Sequence, residues 1–298
     1  MRETDSDRFE VACLLSGIAM KYIASNAWRV IHLLLLFSCL LPSTVAGVTL
    51  EGEMIQGGML IGKTEPGDRV SFNQRPIRVS AEGIFLLGFG RDDELRHTLE
   101  VSRGGRQIET RQFTIRKREY QIQRIDGLSS SKVTPPKRDW ARIKRETALV
   151  KKARKRDDDR SDFMEGFIWP AHGIISGVYG SQRILNGEPR RPHYGVDIAA
   201  PEGTQVVAPA DGVVTLAHPD MFFSGGTLIL DHGHQLSSSF LHLHKILVKV
   251  GDRVKQGEPV AEIGATGRVT GAHLDWRMNL RNARIDPQLL VPPMPQAE

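Results

Sequence analysis

Short apolar segments separated by glycine-containing turns dominate the chain after residue 46, and this pattern restricts it to a fold made mainly of β-strands. Between residues 47 and 125 the turn signals include Pro66-Gly67-Asp68, Glu82-Gly83 and Arg103-Gly104-Gly105. Apolar and polar residues alternate on both sides of the last of these turns, as in a β-hairpin. Residues 47–125 are therefore predicted to form a small β-sandwich-like accessory domain.

The same pattern returns in residues 163–298, which are predicted to form a second, antiparallel β domain. Glycine again separates short strand-like segments, and no amphipathic helix of any length is visible. Eight of the ten histidines of the chain fall between His172 and His273. This concentration makes the C-terminal region the place to look for a chemical site.

The first 46 residues have the features of a secretory signal. Arg29 precedes an apolar run, and Thr44-Val45-Ala46 matches a small-x-small cleavage site. The run is short for a membrane span, so we predict export, with Met20 as the start and a retained signal anchor as the alternative. Cys13 and Cys39 both precede the cleavage site, so neither a disulfide nor a thiolate metal ligand is expected in the mature chain.

Residues 126–162 are predicted to be a linker that contains a basic helix. Apolar residues recur at helical spacing between Trp140 and Val150, and the segment 137–160 carries eleven basic and five acidic residues. We expect a solvated connector; packing across a domain, or lying on an anionic polymer or membrane surface, are the alternatives. No motif that reads bases accompanies the charge, so no nucleic acid partner is expected.

Two pairs of side chains in the C-terminal region have spacings that suit metal binding. His193 and Asp197 are four positions apart with Gly195 between them, although a hydrogen-bonded His–Asp pair would explain this spacing equally well. His273 and Asp275 are two positions apart, so on a strand both side chains point to one face. Together the pairs offer the nitrogen and oxygen donors that a divalent cation requires.

His242 is the third candidate position. It lies between Leu241 and Leu243, where a core histidine is the usual alternative. Because a hydrolytic metal site needs proton-handling groups beside the cation, His242 together with the two pairs favours such a site over three unrelated structural histidines.

Several short sequence motifs, and their order along the chain, resemble those of the lysostaphin/LytM-type zinc endopeptidases that cut peptidoglycan cross-bridges. The similarity runs from about Phe167 to Val291. It includes Ser176-Gly177-Val178-Tyr179-Gly180, His193-Tyr194-Gly195-Val196-Asp197, Pro209-Ala210-Asp211-Gly212, Phe240-Leu241-His242-Leu243 and Gly271-Ala272-His273-Leu274-Asp275. The resemblance implies a mainly β metallopeptidase domain over residues 163–298, a role in cell wall remodelling and a location in the periplasm or cell envelope.

The resemblance also assigns roles to individual residues. It implies that His193, Asp197 and Asp275 bind Zn²⁺ and that His242 and His273 are the catalytic histidines. Asp275 stands where the family has a histidine, which lowers the positive charge of the site and makes Mn²⁺ a candidate as well. The sequence alone predicts that Asp275→His keeps activity and tightens zinc binding.

Three functions remain open at this point. The resemblance implies a zinc-dependent endopeptidase that hydrolyses the peptide cross-links of peptidoglycan. The alternative is a non-enzymatic LytM-like regulator that binds and activates cell-wall amidases, because some relatives have lost metal ligands. A passive peptidoglycan-binding module is the third, but it leaves the paired histidines unexplained. The expected partners are peptidoglycan and an amidase or other envelope protein.

Overall fold

The computed structural model describes residues 47–128 and 134–295, and the predicted signal peptide lies outside these residues. Residues 47–128 and 134–295 belong to one compact unit. The predicted mainly β fold with a short basic helix is confirmed. The N-terminal strands are β1 (Thr49–Gly52), β2 (Met59–Lys63), β3 (Arg69–Phe72), β4 (Arg75–Ile77), β5 (Ile84–Gly88), β6 (Arg96–Arg103), β7 (Arg106–Thr114) and β8 (Ile122–Ile125).

The remaining elements begin with a 3₁₀ turn (Lys137–Asp139) that leads into helix α1 (Trp140–Ala153). The strands that follow are β9 (Ile174–Gly177), β10 (Gln182–Leu185), β11 (Glu188–Pro189), β12 (Val196–Ala199), β13 (Gln205–Val207), β14 (Gly212–Met221), β15 (Gly225–Asp231), β16 (Leu236–Ile246), β17 (Arg253–Val254), β18 (Pro259–Ile263), β19 (His273–Leu280) and β20 (Ala283–Ile285). A second 3₁₀ turn spans Pro287–Leu289.

Strands β1 to β7 form two antiparallel sheets that enclose a small apolar core. One sheet has the order β1-β2-β5 and the other the order β4-β3-β6-β7. The core between them is built from alternate residues of the strands, because every second side chain of a strand points to the same face. Its members are Val48, Leu60, Val70, Phe85, Leu87, Phe89, Leu99, Val101 and Ile115.

Strand β5 is buried on both faces, which explains its continuous apolar sequence. Phe85 and Leu87 point into the N-terminal core, whereas Ile84 and Leu86 belong to the larger C-terminal core. The N-terminal sheets therefore pack directly against the C-terminal part of the chain in this region. The domain boundaries at residues 125/126 and 162/163 stay predictions.

In the described part of the chain most C-terminal strands form one large antiparallel sheet, whereas β10 and β11 form a separate three-stranded sheet with β8, which pairs with β10 in parallel. Its main path has the order β17-β14-β15-β16-β19-β12-β9, with β18 and β20 added beside β16 and β19. Strands β9, β12, β19 and β16 are hydrogen-bonded neighbours, so the residues that are opposite each other form a row across the sheet. This row contains Gly177, Asp197, Asp275 and Leu241.

Helix α1 packs against β14, and this contact agrees with the alternative of packing across a domain. Val150 and Ala153 contact an apolar patch that includes Leu216 of β14. Polar contacts anchor the same face, because Arg142 bonds Asp220 and the Glu146 carboxylate accepts from the backbone N–H of residue 222. Trp140 remains 57% exposed.

Among residues 47–128 and 134–295, no helix has the length and apolar character needed to cross a membrane.

Candidate metal centre

Three of the predicted ligands converge at one point of the large sheet. Asp197 of β12 is directly opposite Asp275 of β19, and residues opposite each other in an antiparallel pair point to the same face. His193, in the loop before β12, places Nε2 3.0 Å from Asp197 Oδ1 and 3.4 Å from Asp275 Oδ1. One nitrogen or oxygen atom from each of the three lies within 4.8 Å of the others, and all three side chains are buried.

Two arginines neutralise the two carboxylates of this cluster. Arg183 Nη2 donates to Asp197 Oδ2 at 2.5 Å. Arg277 grips Asp275 with two bonds, from Nε to Oδ1 at 2.9 Å and from Nη2 to Oδ2 at 2.5 Å. Such paired contacts between a guanidinium and a carboxylate are among the strongest charge-assisted hydrogen bonds in proteins. Each carboxylate therefore has Oδ2 held by an arginine, while its Oδ1 is the oxygen closest to His193.

The unsatisfied polar atoms of the cluster fit a divalent cation. His193 Nε2 and Asp197 Oδ1 are buried and face each other, but their geometry does not meet that of a hydrogen bond. Buried polar groups without a partner are rare because they are costly, and one cation between them would satisfy both. A nitrogen with two carboxylate oxygens is a donor set that zinc and manganese both accept. The cluster thus has the chemistry of a metal site.

The protonation of the three ligands follows from their close approach. Burial lowers the pKa of His193, but the carboxylates of Asp275 and Asp197 outweigh this effect and raise it above its ordinary value. Burial also opposes ionisation of Asp275, yet Arg277 and His193 hold its pKa well below the usual range. Asp275 is therefore ionised at neutral pH. A metal that binds His193 competes with a proton for that imidazole.

The two remaining predicted residues, His242 and His273, lie side by side next to the cluster. Their ring centroids are 4.9 Å apart, and His273 Nε2 is 3.9 Å from Asp197 Oδ1. His242 Nδ1 is 2.8 Å from the carbonyl oxygen of Thr266, and His273 Nδ1 is 2.9 Å from that of Gly271. Because a carbonyl only accepts, each Nδ1 carries a proton and donates it to the carbonyl, so Nε2 is the ring nitrogen left to face the cluster.

A β-bulge directs His242 into this position. Regular alternation along β16 would give His242 the face opposite to that of Leu241, which is paired with Asp275. The register between β15 and β16 shifts here, and His242 has a φ of +66°, in the left-handed region that most residues avoid. Bulges of this kind re-aim side chains near functional sites. Burial lowers the pKa of His242 to about 4, so its imidazole is neutral at physiological pH.

The backbone at Gly195 lies so close to strand β19 that no side chain fits between them. A Cβ added there would lie 2.5 Å from the Trp276 carbonyl oxygen and 2.7 Å from Asp275 Oδ1. This close approach explains why the residue between His193 and Asp197 is a glycine.

We expect Gly195→Ala to lower the free energy of unfolding by about 1–3 kcal/mol, the usual cost of overpacking, because the carbonyl of Trp276 belongs to a rigid strand. Chemical denaturation of the metal-free protein measures this. Gly271→Ala is the matched control, since a Cβ at Gly271 meets nothing within 4 Å. Equal stability losses in the two variants would contradict the steric explanation.

The other histidines of the C-terminal region lie outside the cluster. His232 is fully buried, with Nδ1 2.6 Å from the Asp211 carbonyl oxygen and Nε2 2.8 Å from Ser238 Oγ. His244 is exposed and pairs with Glu202, and His218 Nδ1 accepts from a backbone N–H. The two that remain are His172, which is exposed, and His234, which is buried beside Phe163.

His232 predicts a pH dependence of stability. Burial lowers its pKa from 6.5 to about 4, so in this window the unfolded chain binds more protons than the folded one. The contribution of His232 to the free energy of unfolding is therefore fully present above pH 6.5, and about 3 kcal/mol of it is lost as the pH drops to 4. Denaturation of wild type and His232→Gln, both in chelator, measures this. The difference between the two profiles should shrink below pH 6.5, and a constant difference would contradict the assignment.

The contact of Arg277 with Asp275 was not predicted from the sequence. Its signal was available, because Arg277 follows Asp275 by two positions and must point to the same face of β19. Thr266, whose carbonyl fixes the His242 ring, lies in a Gly-Ala-Thr-Gly phrase that could be noticed but not explained from the sequence.

Comparison with known proteins identifies the family. Residues 191–287 match the family described as Peptidase family M23. A solved structure described as a putative peptidase M23 from Pseudomonas aeruginosa is 31% identical in sequence, with a TM-score of 0.60; the match covers 80% of this chain and 94% of that one. The chain therefore belongs to peptidase family M23. The resemblance inferred from the sequence is thereby confirmed.

Two curated relatives match less than half of the chain. Peptidoglycan DD-endopeptidase ShyB of Vibrio cholerae is 42% identical over 97 residues, which are 32% of this chain and 22% of the relative. A lipoprotein NlpD/LppB homolog of Pseudomonas aeruginosa is 31% identical over 127 residues, which are 43% and 40% of the two chains. The match thus spans less than half of the length of either relative.

Proposed function

We propose that this protein is a metal-dependent endopeptidase that hydrolyses the peptide cross-links of peptidoglycan. In this proposal His193, Asp197 and Asp275 hold the cation, which is Zn²⁺ with Mn²⁺ as the alternative. The observation that carries the proposal is the convergence of these buried donors, with His193 Nε2 and Asp197 Oδ1 unsatisfied, beside a pair of histidines. Membership of family M23 and the similarity to a DD-endopeptidase support the substrate class.

The histidines provide the proton chemistry in this proposal. A bound divalent cation supplies Lewis-acid polarisation of the scissile carbonyl and lowers the pKa of a water molecule. His242 is neutral and presents Nε2, so it acts as the base that accepts a proton from the attacking water. His273, beside it, stabilises negative charge on the carbonyl oxygen in its doubly protonated form, in which Nε2 carries a proton while Nδ1 keeps its bond to the Gly271 carbonyl oxygen.

We also propose that the protein acts in the cell envelope or periplasm. The predicted signal in residues 1–46 and the substrate of the relatives support this location. The N-terminal sheets and helix α1 then position the catalytic domain, because both pack on it through apolar contacts.

The amidase regulator is the second candidate, and one observation favours it. Arg277 already engages both oxygens of Asp275, so a carboxylate at this position has a partner without any metal.

Digestion of purified, cross-linked peptidoglycan separates the two functions. The endopeptidase should convert cross-linked stem peptides into un-cross-linked ones that stay attached to the glycan, when it is the only protein present. A regulator should cleave no cross-link alone and should only increase the release of stem peptides from glycan by an added, purified cell-wall amidase. Product formation that depends entirely on the amidase would contradict the endopeptidase.

A further inference from the structure

The charges around the proposed metal ligands are balanced before any cation binds. Asp197 and Asp275 contribute two negative charges to a buried cluster, and Arg183 and Arg277 contribute two positive ones through direct contacts. With His193 neutral, as a metal ligand must be, the cluster has no net charge. Two adjacent buried carboxylates without counter-charges would repel each other at considerable cost.

Of the two aspartate–arginine ion pairs, the one between Asp275 and Arg277 shares its guanidinium less with other groups. The Asp275 side chain is fully buried and the Arg277 side chain is 24% exposed, whereas Arg183 also contacts Gln123. Both oxygens of Asp275 accept from the one guanidinium. Since an oxygen of a carboxylate has two lone pairs, Oδ1 can accept from Arg277 and still face His193.

We propose that Arg277 is the counter-cation of Asp275, and that the two act as one neutral unit in the metal centre. This inference rests on the proposed function, because it assigns a role toward the same cation. Arg277 thus acts through Asp275: by neutralising this carboxylate it sets the net charge that the cation meets. Removing one member of the pair changes that charge, whereas removing both restores it.

The proposal changes the expectation for Asp275→His. The sequence alone predicts tighter zinc binding by this variant. With Arg277 in place, however, the variant leaves an unpaired guanidinium beside the cation, and the cluster becomes positive. Zinc should then bind more weakly than to the wild type, by about tenfold or more.

The test is a double-mutant cycle on the whole protein, with zinc affinity measured at pH 8 by competition with a chromophoric chelator. Arg277→Gln should bind zinc more tightly than wild type, Asp275→His more weakly, and the double variant within about tenfold of wild type. Melting of the metal-free proteins is the second readout, because Arg277→Gln leaves a buried carboxylate unpaired and should melt lowest.

Arg103→Gln is the matched control. Arg103 grips the buried Asp68 with the same two-bond geometry, at 2.7 and 2.9 Å, but in the N-terminal sheets. It should lower the melting temperature without changing zinc affinity. Weaker zinc binding by Arg277→Gln, or zinc binding by Asp275→His that equals or exceeds that of wild type, would overturn the proposal. A wild type that binds neither zinc nor manganese would instead contradict the proposed function.

Discussion

Replacing His193 with alanine should abolish stoichiometric metal binding and lower cross-link hydrolysis by about a hundredfold or more. His193 is the one nitrogen donor among the three converging ligands, and its Nε2 lies 3.0 Å from Asp197 Oδ1 and 3.4 Å from Asp275 Oδ1. Without His193, Asp197 and Asp275 stay bonded to Arg183 and Arg277, and two neutralised carboxylates bind a cation weakly. Elemental analysis after dialysis measures the metal, and digestion of purified peptidoglycan measures the rate.

The matched control is His172→Ala, because His172 is an exposed histidine of the same region. It should keep both metal and activity. Circular dichroism and melting establish that the His193 variant is folded. A folded His193→Ala protein that retains one metal per chain would show that the ligands lie elsewhere.

Replacing His242 with asparagine should lower the rate of hydrolysis by about a hundredfold to ten-thousandfold while metal content stays at the wild-type level. His242 presents Nε2 beside the cluster but is not one of its three converging donors. Asparagine tolerates the left-handed backbone at this position better than alanine, so the bulge should persist and only the imidazole is lost. The separation of rate from metal content is the diagnostic result.

His244→Asn is the control for this variant. His244 lies two residues further along the chain, is exposed and pairs with Glu202 at the surface. Its replacement should leave the rate within about twofold of wild type, as surface substitutions usually do. Loss of metal in His242→Asn would instead make His242 a ligand, and an unchanged rate would remove it from the catalytic machinery.

The sequence predicted those features that depend on local spacing. Glycine turns between short apolar segments predicted the strands, and the period of two on β19 placed His273 and Asp275 on one face. The pairing of Asp197 with Asp275 was accessible only through the family resemblance, because strand register is a long-range property.

Features that depend on tertiary contacts were not predictable. The apolar run of β5 looked like one buried strand, but no local pattern indicates that its two faces serve two different cores. The sequence of β16 contains no pattern that predicts the bulge at His242. Helix α1 was expected to be solvated because its sequence is so basic, yet Val150 and Ala153 pack on an apolar patch of β14, and Arg142 and Glu146 add polar contacts.

The most direct test of the account is a metal titration of the chelator-treated protein with hydrolysis of cross-linked peptidoglycan as the readout. The account predicts no cleavage by the metal-free protein, a linear rise as zinc is added, and a plateau at one equivalent per chain. Cleavage that survives removal of the metal, or no cleavage with either zinc or manganese, would contradict the assignment of the cluster as a catalytic metal centre.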